Sequence, residues 1–118
     1  KRQTLFMIIT VTYLHLRKPL YFFRLSYFGF KIMRQAQQSP GFIRMTNRGF
    51  WNDHYTLSAW ENEEAMKNLA RSGEHLKAMK QSKSIADKLL TYSYVAEKFP
   101  DWNTAKQLIH KNGKVLTF

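Results

Sequence analysis

The chain has 118 residues, enough for one domain with a two-layer core and too few for two independent cores. It contains no cysteine, which excludes disulfides, thiolate metal sites and a cysteine nucleophile. Its 19 lysines and arginines against 8 acids give a net charge of +11, and nine of the basic residues fall in residues 1–52, which hold no acid, so this half sets up a field that attracts nucleic acid, anionic lipid or an acidic ligand.

Lys1-Arg2 followed by Leu5-Phe6-Met7-Ile8-Ile9 imitates the start of a signal peptide, but Thr4, Thr10 and Thr12 interrupt it and no cleavage site follows. Leu5 to Leu16 reads instead as a first strand, apolar on both faces. The absence of methionine at position 1 fits a short leader ahead of Lys1. Pro19 stands where a helix can start. From Leu20 to Gln38 the polar residues Arg24, Lys31, Arg34, Gln35 and Gln38 form one narrow stripe at helical spacing. The apolar arc that fills the remainder, Phe22, Phe23, Phe30 and Met33 among it, is wider than a surface helix needs. Arg24 and Lys31 also break the longest apolar run well short of the roughly 18 residues of a membrane span. A cytoplasmic protein is therefore expected.

Ser39-Pro40-Gly41 ends the helix. Phe42 to Asn47 and Phe50 to Trp60 read as two strands joined by a tight Asn47-Arg48-Gly49 connection. Asn62 is a suitable N-cap for a helix opening with Glu63 and Glu64, and Ser72 for a short helix that begins near His75. Leu89 to Ala96 is the fourth strand. Asp101 to about Lys111 is a C-terminal helix stopped by Gly113, and Lys114 to Phe118 can add an edge strand. The order βαββαβ predicts an α+β fold, a ferredoxin-like four-stranded antiparallel sheet with helices on one face. Residues 1–98 make this domain, and residues 99–118 add a helix and short extension to it. The apolar alternation on both faces of strands one and three asks for a cover over the open face, and a second copy in a homodimer would supply it.

Leu57-Ser58-Ala59-Trp60-Glu61-Asn62-Glu63-Glu64-Ala65-Met66 and Ser72-Gly73-Glu74-His75, with the earlier turn Gln38-Ser39-Pro40-Gly41-Phe42, resemble the antibiotic-biosynthesis-monooxygenase family of dimeric α/β-barrel proteins, most of all its spheroidene-monooxygenase-like branch. The likeness spans Thr10 to Tyr94. It implies a sheet-to-sheet homodimer and, if the chain is an enzyme, a monooxygenase whose cavity lies between helices and sheet. Two departures are visible. Where cofactor-free relatives place an asparagine four residues before the tryptophan, this chain has Thr56. Where haem-degrading relatives place a ligand histidine and a helix tryptophan, it has Met79 and Leu69.

The catalytic candidates are Trp60, at the end of its strand, and His75, in the first turn of its helix. The helix dipole there favours a neutral imidazole with a lone pair for a proton or a haem iron; a structural, capping histidine would look the same. Met79 lies one turn on along the same face. Trp60, Ser58, Thr56 and His54 share one strand face beneath the helices. His54 and Thr56, with Phe22 and Met33 of the first helix, are expected walls for an apolar aromatic or polyene ligand, although His54 is a poorer histidine candidate than His75. The cofactor is then none or haem, with His75 as the haem candidate and no other metal site. The competing function is single-stranded RNA binding. Arg48-Gly49-Phe50-Trp51-Asn52-Asp53-His54-Tyr55 imitates the third-strand octamer of the RNA-recognition motif at the first three positions and the last. A structural or membrane-peripheral role is the third reading.

Overall fold

The computed structural model describes residues 6–115, with Glu74 described by its backbone only. Strand β1 (Met7–Leu16) leads through a single 3-10 turn (Pro19–Tyr21) into α1 (Phe22–Gln37). There follow β2 (Phe42–Phe50), β3 (Asp53–Trp60), α2 (Glu63–Ala70), α3 (Gly73–Ile85), β4 (Ala86–Ala96), α4 (Trp102–Asn112) and β5 (Lys114–Val115). The strands form one antiparallel sheet in the order β2-β3-β1-β4-β5. This is the expected ferredoxin-like arrangement, with one difference: β5 pairs with β4 at Leu90 and Thr91, so the sheet has five strands rather than four. Leu5 and residues 116–118, expected to extend β1 and β5, lie outside the described residues.

The caps read from the sequence are in place. The Asn62 side chain accepts a hydrogen bond from the Ala65 amide, Ser72 from the His75 amide and Asp101 from the Thr104 amide. Gly41 turns the chain into β2 at φ +83°, where a side chain would be strained, and a Cβ there would come within 2.5 Å of Ala65. α3 is longer than the short helix expected, because the chain passes from Ile85 directly into β4 at Ala86.

The tight connection lies later than expected. Phe50 pairs with Asp53, so Trp51 and Asn52 form a two-residue loop and Gly49 belongs to β2. Asn52 fixes this register: its side-chain amide donates to the Leu16 carbonyl at 2.7 Å, and its own carbonyl accepts from the Leu16 amide at 2.8 Å. Trp51 adopts φ +53°, a strained conformation for a bulky residue. The octamer Arg48–Tyr55 is therefore split across a hairpin and cannot present a row of stacking rings along one strand, which removes the motif behind the RNA reading.

β1 is central and packs on both faces. Toward one side Leu14 and Leu16 meet Ile85, Ala86 and Leu89 beneath α1 and α3. Beside them Trp60 packs with Ala36 of α1 and with Ala65 and Leu69 of α2. Toward the other side Ile9, Val11, Tyr13, Leu57 and Leu90 pack against Ala105 and Ile109 of α4. The apolar face expected to need a second copy is thus covered, over β1 and β4, by the chain's own C-terminal helix. Burying the Ile109 side chain there contributes about 1.5–3 kcal/mol. One polar contact fastens the helix further, Tyr55 Oη lying 2.7 Å from His110 Nε2, while the Tyr13 hydroxyl donates to Asp53 across the β1–β3 ladder. Burial, then the Asp53 carboxylate, pushes the Tyr13 pKa up, so it keeps its proton for that bond.

Candidate functional site

Two of the expected ligand residues meet. Phe22 opens α1, and His54 is the second residue of β3, directly across the ladder from Gly49. Their rings stack at 5.5 Å between centroids and 26° between planes. His54 Nε2 lies 2.8 Å from the Trp51 carbonyl. A carbonyl only accepts, so that nitrogen carries the proton. Gly49 makes room for the imidazole: a Cβ on it would fall within 2.6 Å of His54 Cε1 and overlap Nδ1. Around this pair lies an open, mainly apolar cavity of about 490 Å³, whose wall includes Leu20, Phe23, Phe50 and Trp51. His54 is the one titratable group among its lining residues.

Trp60, His75 and Met79 line neither this cavity nor the second one described below. Trp60 is 1% exposed, its indole N–H donates to Ser58 Oγ at 3.1 Å, and its ring meets Phe42 edge-on. Met79 packs with the cluster around Leu14, Leu16 and Ile85. Thr56 is half-buried on β3 between His54 and Ser58, and Met33 is half-buried on α1.

His75 holds a low pKa, as the sequence suggested, but for a different first cause. Burial lowers it, partly offset by a hydrogen bond to the Ala70 carbonyl. Its Nδ1 is shut from solvent without a hydrogen-bond partner. These surroundings do not fit a haem ligand. Its Nδ1 is closed off from solvent, it lines neither of the two cavities described, and Met79, one turn on, is packed in the cluster around Leu14, Leu16 and Ile85. Among the described residues no three His, Asp or Glu side chains stand together as a metal site.

Sequence reasoning missed two features. The rim of the first cavity was legible as the doublets Phe22-Phe23 and Phe50-Trp51, but the misplaced hairpin loop hid that they converge. On the opposite sheet face Arg44 and Arg48, four positions apart on one side of β2 with Thr46 between, border a polar groove of about 550 Å³ with Asp101. Their guanidinium groups lie over Phe99 at 4.3 Å and Trp102 at 5.4 Å. Nothing in the sequence tied these arginines to rings fifty residues away.

No family model matches the sequence, and no curated protein does. Solved structures do match in fold. A conserved protein from Methanosarcina mazei is similar at 15% identity and a TM-score of 0.68 over 80% of this chain and 95% of its own. SnoaB from Streptomyces nogalater, a cofactor-independent oxygenase, is similar at 12% identity and 0.60 over 81% and 96%. A Nitrosomonas europaea protein provisionally named an antibiotic biosynthesis monooxygenase is similar at 11% identity and 0.68 over 83% and 94%. With the strand order and the helix-covered sheet, these likenesses show that the chain has the fold of the antibiotic biosynthesis monooxygenases.

Proposed function

We propose that the protein is monooxygenase-like and binds an apolar small molecule, aromatic or polyene, in the cavity between the start of α1 and the β2–β3 hairpin. The observation that carries this reading is the aromatic wall: Phe22 stacked on His54, with Phe50 and Trp51 facing the same 490 Å³ space. Such a wall, with a single polar group in it, suits a flat apolar ligand. Reaction class follows the fold and SnoaB, the cofactor-independent oxygenase among the similar structures, so the oxidant is dioxygen and the bound substrate itself is the electron donor. In this reading Trp60 packs the sheet beneath α1 and α2, and His75 and Met79 hold α3 in place; none of the three touches substrate.

The test uses retinol as the polyene probe and anthrone as the ring probe. Both are expected to quench tryptophan fluorescence saturably. Phe22→Ala and His54→Ala weaken the quenching, and Arg48→Ala, on the opposite face, leaves it unchanged. Oxygen uptake above the uncatalysed rate with anthrone separates an enzyme from a binding protein. Quenching that is indifferent to Phe22 and His54 sinks the site.

A further inference from the structure

The rim of the cavity is more exposed than a small-molecule site needs. Leu20, Phe23, Phe50 and Trp51 are between 65% and 73% exposed, and all four border one open space at one end of the sheet. Soluble proteins rarely leave so large an apolar patch uncovered without a partner for it. Trp51 is held outward by a backbone at φ +53°, a conformation that carries strain. Among the described residues no helix is long and apolar enough to cross a membrane.

Charge identifies the partner. Lys18 precedes the 3-10 turn that bears Leu20, and Arg17 and Arg24 flank the same segment. Arg17 donates to the carbonyl of Lys83, and Arg24 to Gln81 and Ser84, so the last turn of α3 lies at this end of the molecule and adds Lys83. The two acids near this end are already engaged: Asp53 accepts from the Tyr13 hydroxyl, and Asp87 is 2.8 Å from His15 Nδ1. Apolar rings with a tryptophan among them, flanked by four cations against two carboxylates, match the boundary between the headgroups and acyl chains of an anionic bilayer.

We propose that this end of the protein docks on an anionic lipid surface, with Leu20, Phe23, Phe50 and Trp51 entering the interface and Arg17, Lys18, Arg24 and Lys83 meeting the headgroups. The cavity then opens toward the bilayer, and its apolar ligand enters from the lipid. That last clause rests on the proposed function; the docking does not, because it is measured on vesicles that hold no substrate.

The experiment is vesicle sedimentation of the full chain, with phosphatidylcholine alone and with phosphatidylcholine and phosphatidylserine in equal parts. Binding to the anionic vesicles is expected, with a blue shift of tryptophan emission that is absent in Trp51→Phe, and a loss of binding as salt rises. Lys18→Ala is expected to weaken binding about fivefold, and Phe23→Ala on the order of tenfold. Far-ultraviolet circular dichroism verifies that each variant is folded. Equal binding to neutral vesicles, or none to either, overturns the proposal. So does a dimer in the absence of lipid that Phe23→Ala dissociates, since a second copy would then be the cover. Retinol quenching lost with docking intact refutes the cavity alone; docking lost with quenching intact refutes the membrane alone.

Discussion

Gly49→Ala perturbs the candidate site through a single methyl group. The position is in β2 and outside the left-handed region, so the backbone accepts alanine, but the new Cβ collides with the His54 imidazole. The collision involves ring atoms Nδ1, Cε1 and Cγ, so the whole ring must move. Moving it forfeits the stack on Phe22, about 0.5–1.5 kcal/mol, and the bond to the Trp51 carbonyl, about 0.5–1.5 kcal/mol net. Against this loss, alanine in place of glycine at a compatible site gains about 0.4–1 kcal/mol through the unfolded chain. The substitution in the wild-type background should therefore cost roughly 0–2.6 kcal/mol, about 1.3 at the midpoints. In a His54→Ala background the collision is gone, and Gly49→Ala should stabilise the protein by about 0.4–1 kcal/mol. Urea denaturation of the four proteins completes the double-mutant cycle, and the sign reversal is the signature. The same shift in both backgrounds would refute the packing of His54 over Gly49, and with it the geometry of the site.

His75 is buried with a lowered pKa, so as pH falls the unfolded chain takes up that proton first, near the ordinary value of 6.5. Stability is full above that value and declines below it; His75→Leu should flatten the decline in urea midpoints between neutral pH and about pH 5, and an unchanged slope would remove the buried neutral imidazole. Ile109→Ala empties a fully buried position on the sheet-facing side of α4 and should cost about 2–5 kcal/mol. Because α4 already covers the apolar face, light scattering should give a monomer for the wild type and association for a chain cut before Phe99; a stable wild-type dimer restores pairing through that face. Single-stranded RNA, titrated by fluorescence anisotropy at low salt, should show no loss of affinity in Phe50→Ala beyond about twofold, and a loss of tenfold or more would return stacking to the account.

Element order was legible in the sequence because each signal was local. Asn62, Ser72 and Asp101 cap where their side-chain chemistry requires, and Gly41 turns where only a residue tolerant of positive φ fits. The hairpin was misplaced because Gly49 carries two meanings. It is a turn residue by propensity, yet here it stays in the strand to admit the His54 ring across the ladder. What fixes the loop at Trp51 and Asn52 is a bond to Leu16, thirty-six residues away, which no local window contains. The candidate site inherited that error. Phe22 and His54 were both assigned to the walls between the first helix and the sheet, but no local signal paired their rings. Parity likewise put Trp60 under the helices, but it could not say whether a cavity or close packing awaited it there.

The placement of β1 governs how the molecule can be made. Its ladder partners are β3, some forty residues later in the chain, and β4, some eighty later, while the cover for its second face arrives only with α4. During synthesis the central strand therefore emerges ahead of all its partners, its Ile9, Val11 and Tyr13 bare until α4 is translated. Long-range pairing of this kind slows folding and leaves sticky surface exposed in the interval. A nascent chain of this design is open to misassembly until α4 has formed.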